Sequence, residues 1–127
     1  MKKILIVISD YYKDISKSLL KSAKNELKNN SLKIIKVPGV FEIPVTISKN
    51  IKKYDAFIAL GCVIKGQTPH FDFISLASTQ AIMNLSTDSK KPVGNGIITC
   101  FNKKQAKARG FKGREAARAI KSVLSQK

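Results

Sequence analysis

The residues best suited to chemistry lie in one stretch, Gly61-Cys62-Val63-Ile64-Lys65-Gly66-Gln67-Thr68-Pro69-His70-Phe71-Asp72-Phe73, which holds the only histidine of the chain, His70. An imidazole changes charge near neutral pH and so suits proton transfer. Upstream, Ala56-Phe57-Ile58-Ala59-Leu60 is a short apolar run bounded by polar residues, the pattern of a strand buried on both faces. Downstream, Thr68 suits a helix N-cap and Pro69 the first helical position, where a missing N–H costs nothing. The N–H groups of Gly66, Gln67 and Thr68 would then stand at the positive end of a helix, free to face a phosphate. A lone histidine near a helix start can also be a plain surface residue. The expected anion cradle beside it favours the proton-transfer role.

The two cysteines, Cys62 and Cys100, lack metal-ligand spacing, and each closes an expected strand. They read as free, small core residues, and no metal site is expected.

These groups need a scaffold, and 127 residues suffice for one domain, residues 1–127, around a single core. Lys3 to Ile8 is a β-branched run that reads as a strand, followed by the loop Ser9-Asp10-Tyr11-Tyr12. Ile15, Leu19, Ala23 and Leu27 recur every four residues and mark an amphipathic helix over 14–29. Leu32 to Val37 supplies a second strand, and Ile43, Ile47 and Ile51 a short helix after Pro38-Gly39. A third helix is expected over 70–86 with Ile74, Ala77, Ala81 and Leu85 inward. Val93 to Thr99 reads as a fourth strand whose Gly94, Asn95 and Gly96 suggest a bend or a close ligand approach. Asn102 and Gln105 have capping-box spacing for a short helix ending at Arg109-Gly110, and a last helix spans 115–125.

Strands alternating with helices predict an α/β fold with a parallel sheet covered on both faces. Ligands of such sheets collect beyond the carboxyl ends of the strands. Four loops should meet there: Ser9 to Tyr12, Pro38 to Glu42, Cys62 to His70 and Thr99 to Asn102. Tyrosines, Phe41, Glu42 and the anion cradle together suit a flat heteroaromatic with a hydroxylated or charged appendage, plus a phosphorylated partner.

Charge and targeting narrow the class. Lys and Arg number 24 against 8 Asp and Glu, a net +16. Lysine carries nearly all of it and runs through every segment, whereas nucleic-acid surfaces concentrate arginine and aromatics on one face. No specific nucleic-acid partner is expected, although salt-sensitive sticking is. No signal-peptide pattern or membrane-length apolar run occurs, so the expected setting is cytoplasmic, with no membrane association.

With these residues assembled, the chain resembles the 6,7-dimethyl-8-ribityllumazine synthase family over nearly its whole length. Pro38-Gly39-Val40-Phe41-Glu42-Ile43-Pro44 is similar to that family's Pro-Gly-Ala-Phe-Glu-Ile-Pro segment. Gly61 to Phe73 resembles its long loop motif, and Gln105-Ala106-Lys107-Ala108-Arg109 with Lys112-Gly113 its C-terminal signature. The implied fold is one three-layer α-β-α domain with a four-stranded parallel sheet in the flavodoxin-like order 2-1-3-4. The implied reaction condenses 5-amino-6-(D-ribitylamino)uracil with 3,4-dihydroxy-2-butanone 4-phosphate, releasing phosphate and water, without a metal or organic cofactor.

By that resemblance His70 would move protons, and Tyr11 would stack on the pyrimidine. Val40 and Phe41 would offer backbone groups to the ring, Glu42 would accept from ribityl hydroxyls, and Cys62, Val63 and Ile64 would line the uracil side. Gln67 and Thr68 would form the phosphate-ketone subsite, with Arg109 clamping the phosphate and Lys112 as a possible aid. The family's sites lie between adjacent subunits of a ring. Asn95 stands where it usually has a phenylalanine reaching a neighbour's pyrimidine pocket, and Ser9-Asp10 replaces a small and basic pair. The link from Arg109 to Lys112 is shorter than in capsid-forming members, which points to a homo-oligomer that is a pentamer. The alternative raised by Asn95 is a non-catalytic flavin-like ligand-binding or assembly protein on the same scaffold.

Overall fold

A computed structural model describes residues 1–127. Four parallel strands form one sheet in the order β2-β1-β3-β4: β1 is Lys3–Ser9, β2 Ser31–Val37, β3 Ala56–Ile64 and β4 Val93–Cys100. The helices are α1 (Lys13–Glu26), α2 (Ile43–Lys49, entered through a 3-10 turn at Val40–Glu42), α3 (His70–Ser89), α4 (Lys103–Lys107) and α5 (Lys112–Leu124). The expected class and strand order are those observed.

Period-two alternation divides the core. Ile4, Ile6 and Ile8 of β1 with Ile58, Leu60 and Cys62 of β3 face α1 and α5. Leu5, Val7, Phe57, Ala59 and Val63 face α2 and α3. The two central strands are therefore apolar on both faces, which is why they read as unbroken apolar runs.

Three expectations need correction. Gly61 to Ile64 belong to β3 and not to a loop, because they pair with Ile97 to Cys100 of β4. β4 is a regular strand without a bend; the close approach at Gly94 is by protein, since a Cβ there would lie 2.5 Å from the Ala116 carbonyl oxygen of α5. The inward face of α3 is rotated from the one expected: Ile74 and Leu85 pack against the core as expected, but Ser78 and Ile82 are the buried residues between them and Ala77 is exposed. No helix is long and apolar enough to cross a membrane. Nor do the lysines cover every element, for α3 contains neither Lys nor Arg.

Candidate active site

A cavity of about 480 Å3 opens beyond the carboxyl ends of β1, β2 and β3. Each wall follows from a local turn. After β1, Ser9, Tyr11 and Tyr12 form one side, and the backbone of Ser9 is pinned by the hydroxyl of Ser16, which donates to its carbonyl at 2.6 Å. After β2, the 3-10 turn presents Val40, Phe41 and Glu42. Cys62, Val63 and Ile64 close the floor as the last residues of β3, while His70 and Ile74 overhang from the first turns of α3.

Tyr11 and Tyr12 meet edge to face at 4.9 Å, so one ring braces the other. Tyr11 is 73% exposed and free to meet a planar ligand. Burial, then Tyr11, then Cys62 raise the pKa of the Tyr12 hydroxyl, and Lys103 lies over its ring at 5.8 Å. Burial, reinforced by Cys100, pushes the Cys62 thiol up to about 12. It stays protonated at neutral pH, so it lines the cavity as a neutral surface and not as a nucleophile.

The loop from Lys65 to Pro69 is anchored at its root, where the Lys65 N–H donates to the Cys100 carbonyl at 2.9 Å. Past that point the N–H groups of Gly66, Gln67 and Thr68 find no protein acceptor. Helix α3 starts at His70 as expected, but its N-cap position falls on Pro69 and not on Thr68, and Thr68 Oγ1 accepts from the His70 N–H over a long 3.4 Å. The His70 side chain is exposed and has no hydrogen-bond partner within the protomer. An aromatic contact that sequence reasoning missed supports the loop from below. Phe71 and Phe101 stack at 6.3 Å, with the Lys65 ammonium 5.3 Å from the Phe101 ring centre.

Eight of the twelve residues expected at the site therefore gather around one cavity: Tyr11, Val40, Phe41, Glu42, Cys62, Val63, Ile64 and His70. Four do not line it. Gln67 and Thr68 lie on the exposed loop beside it. Arg109 points to the end of β4, its Nη1 donating to the Thr99 carbonyl at 3.5 Å. Asn95 pairs with Ala59, three residues upstream of the cavity residue Cys62, and its side chain accepts from the Ile97 N–H at 3.1 Å. That offset of about 10 Å along the sheet keeps it from this cavity. Of the four converging loops expected, Thr99 to Asn102 is absent from the lining, since the cavity sits over the ends of β2, β1 and β3 and does not reach that of β4. Ser9, Tyr12 and Gly39 line it as parts of the expected loops, and Ile74 is a lining residue that only packing identifies. Lys112 pairs with Glu115 at 3.0 Å and does not line the cavity. No cluster of three or more His, Cys, Asp or Glu side chains suited to a metal ion occurs.

Comparison with known proteins agrees with this geometry. The sequence model for 6,7-dimethyl-8-ribityllumazine synthase matches residues 1–127. The chain is 43% identical to 6,7-dimethyl-8-ribityllumazine synthase 1 of Rhodopseudomonas palustris over 136 aligned positions, covering 96% of this chain and 83% of the relative. It is 39% identical to the synthase of Agrobacterium fabrum, covering 98% and 93%, and 42% identical to that of Bartonella bacilliformis, covering 87% and 76%. On motif, fold and full-length similarity alike, the chain belongs to the 6,7-dimethyl-8-ribityllumazine synthase family.

Proposed function

We infer that the chain is a transferase of riboflavin biosynthesis, condensing 5-amino-6-(D-ribitylamino)uracil with 3,4-dihydroxy-2-butanone 4-phosphate to give 6,7-dimethyl-8-ribityllumazine, phosphate and water. One observation carries the reading: an imidazole, a carboxylate and an exposed aromatic meet at one cavity beside three unsatisfied backbone N–H groups. The substrates need those features. The pyrimidine stacks on Tyr11 and meets the backbone of Val40 and Phe41, and its ribityl hydroxyls donate to Glu42. Cys62, Val63 and Ile64 form the apolar floor under the ring. The phosphate of the butanone lies on the N–H groups of Gly66, Gln67 and Thr68, at the start of α3, with its negative charge toward the positive end of the helix.

His70 then serves the protons. Imine formation, loss of phosphate and ring closure each transfer a proton at near-neutral pH, and an exposed imidazole can serve each in turn. Because no carboxylate orients His70 in the protomer, its contribution should fall at the low end of general acid-base catalysis, around 10²-fold or less. The chain acts as one domain in the cytoplasm, as a ring-shaped homo-oligomer of five copies. In that ring Asn95 and Arg109 reach the cavity of an adjacent copy, which accounts for their distance from their own.

Mixing both substrates with purified protein should generate the lumazine chromophore well above the uncatalysed background. His70→Ala should slow turnover by about tenfold to a hundredfold at unchanged oligomer size. Ligand binding without turnover in the wild type would overturn the assignment, and an unchanged rate in the variant would remove His70 from the mechanism.

A further inference from the structure

The charge of the molecule is concentrated on one layer. Lys13, Lys17, Lys21 and Lys24 of α1 are all exposed, and their spacing places them in one stripe that Lys28 extends past the helix end. α5 lies beside α1 and parallel to it: the Arg114 N–H donates to Ser22 Oγ at 3.0 Å, and Arg118 meets Glu26 one turn further along both helices. It adds Arg114, Arg118 and Lys121. Lys103, Lys104 and Lys107 of α4 continue the surface near the start of α1, where Lys103 covers Tyr12. Glu26 serves Arg118 and Lys121, and Glu115 serves Lys112; no α1 lysine forms an ion pair. On the opposite layer α2 has Lys49 alone, and α3 has only the acids Asp72 and Asp88.

We propose that the face formed by α1, α4 and α5 docks double-stranded nucleic acid through its phosphate backbone, without regard to base sequence. The composition of the face selects this partner. Between the α1 lysines the other exposed side chains are Asp14, Ser18 and Asn25. They offer no apolar group to enter a bilayer and no aromatic on which an unpaired base could stack; of the exposed apolar side chains on α5 and at its start, Phe111 lies under the Lys112 ammonium and Val123 stands singly in the last turn. Lysine, the main cation of the face, is a flexible point charge that suits phosphate oxygens whatever the base sequence. The 14 residues of α1 span about 21 Å, the length of about six base pairs. None of these lysines lines the cavity, so docking and turnover are separable.

Fluorescence anisotropy of a labelled 20-base-pair DNA duplex with the full chain tests this. Binding at 50 mM salt should weaken on the order of a hundredfold by 200 mM, as expected for about four neutralised phosphates. The triple variant K17E/K21E/K24E should lose at least about tenfold in affinity at 50 mM salt, with lumazine formation unchanged. K49E/K52E/K53E makes the same change in net charge away from the face and should lose no more than about threefold. If circular dichroism shows the first variant unfolded, K17Q/K21Q/K24Q replaces it and should lose several-fold. No duplex binding at 50 mM salt, equal losses in the two charge-reversed variants, or tighter binding to phosphatidylserine vesicles than to the duplex would each overturn the proposal.

Discussion

Cys62 shows how burial alone sets the chemistry of a side chain at the floor of the cavity. Its thiol holds its proton up to about 12, against an ordinary value of 9.0, chiefly through burial and then through Cys100. In native protein at pH 8 Cys62 should resist iodoacetamide and become modified only in denaturant, as read by mass spectrometry of the Cys62 peptide. The same shift links to stability. An unfolded thiol releases its proton near 9 while the folded one does not, so the stability that Cys62 contributes is complete below pH 9 and declines as pH rises toward 12. Cys62→Ala should flatten that alkaline decline in denaturant titrations. At this scale the sequence was informative where a residue follows a strand end: His70, Phe41, Glu42 and Tyr11 were placed by the loops that carry them. Ile74 was not, because it reaches the cavity through packing between α3 and the turn after β2, a contact that no local pattern records.

The pairing of α1 with α5 depends on a small residue and one carboxylate. A Cβ at Gly113 would overlap the Leu19 carbonyl and crowd Ser22 Oγ, so the two helices can lie this close only with glycine there. Gly113→Ala should destabilise the fold by about 1–3 kcal/mol in urea unfolding, as overpacking does. Glu26 joins the other ends of the helices, accepting from Lys121 Nζ at 2.9 Å and Arg118 Nε at 3.1 Å. The hydrogen bond from Lys121 is the main reason that its carboxyl pKa is lowered. Its stabilising effect is therefore present above about pH 4.5 and lost as pH falls through the lowered value. Glu26→Gln should unfold at lower urea at pH 7 and show a shallower acid limb. Strands and sheet class could be read in advance because short β-branched apolar runs, separated by helices and polar turns, leave few alternatives. α3 could not be phased: Phe73, Leu76 and Met83 are apolar on one side and Ile74, Ile82 and Leu85 on another, so periodicity marks a helix without saying which face meets the sheet. The Gly94-Asn95-Gly96 run was misread for a related reason, since the approaching group is the backbone of α5, distant in sequence.

Those two apolar faces of α3 bear on the molecule as a whole. One covers the sheet; the other leaves Phe73, Leu76 and Met83 at 67%, 68% and 60% exposure, in a helix without Lys or Arg. Beside it runs an apolar groove of about 290 Å3 between Phe41, Pro44 and Val45 on one side and Ile74, Ala77 and Ala81 on the other. A protein with a net charge of +16 repels its own copies, and its least charged face is where that repulsion is weakest. Contiguous apolar surface of this kind marks an association site, and here it adjoins the cavity through Phe41 and Ile74. In the proposed ring this face meets its neighbours and brings Asn95 and Arg109 to their cavities. Leu76→Asp would place a carboxylate at the centre of the contact, where burial without a partner is costly. The variant should sediment as a 14.0 kDa protomer, against about 70 kDa for five copies. It should keep its helical circular dichroism while losing at least about tenfold of lumazine formation, because each cavity then lacks the residues of the adjacent copy. A Leu76→Asp protein that remained assembled, or a protomer that stayed fully active, would place both the contact and the shared site elsewhere on the surface.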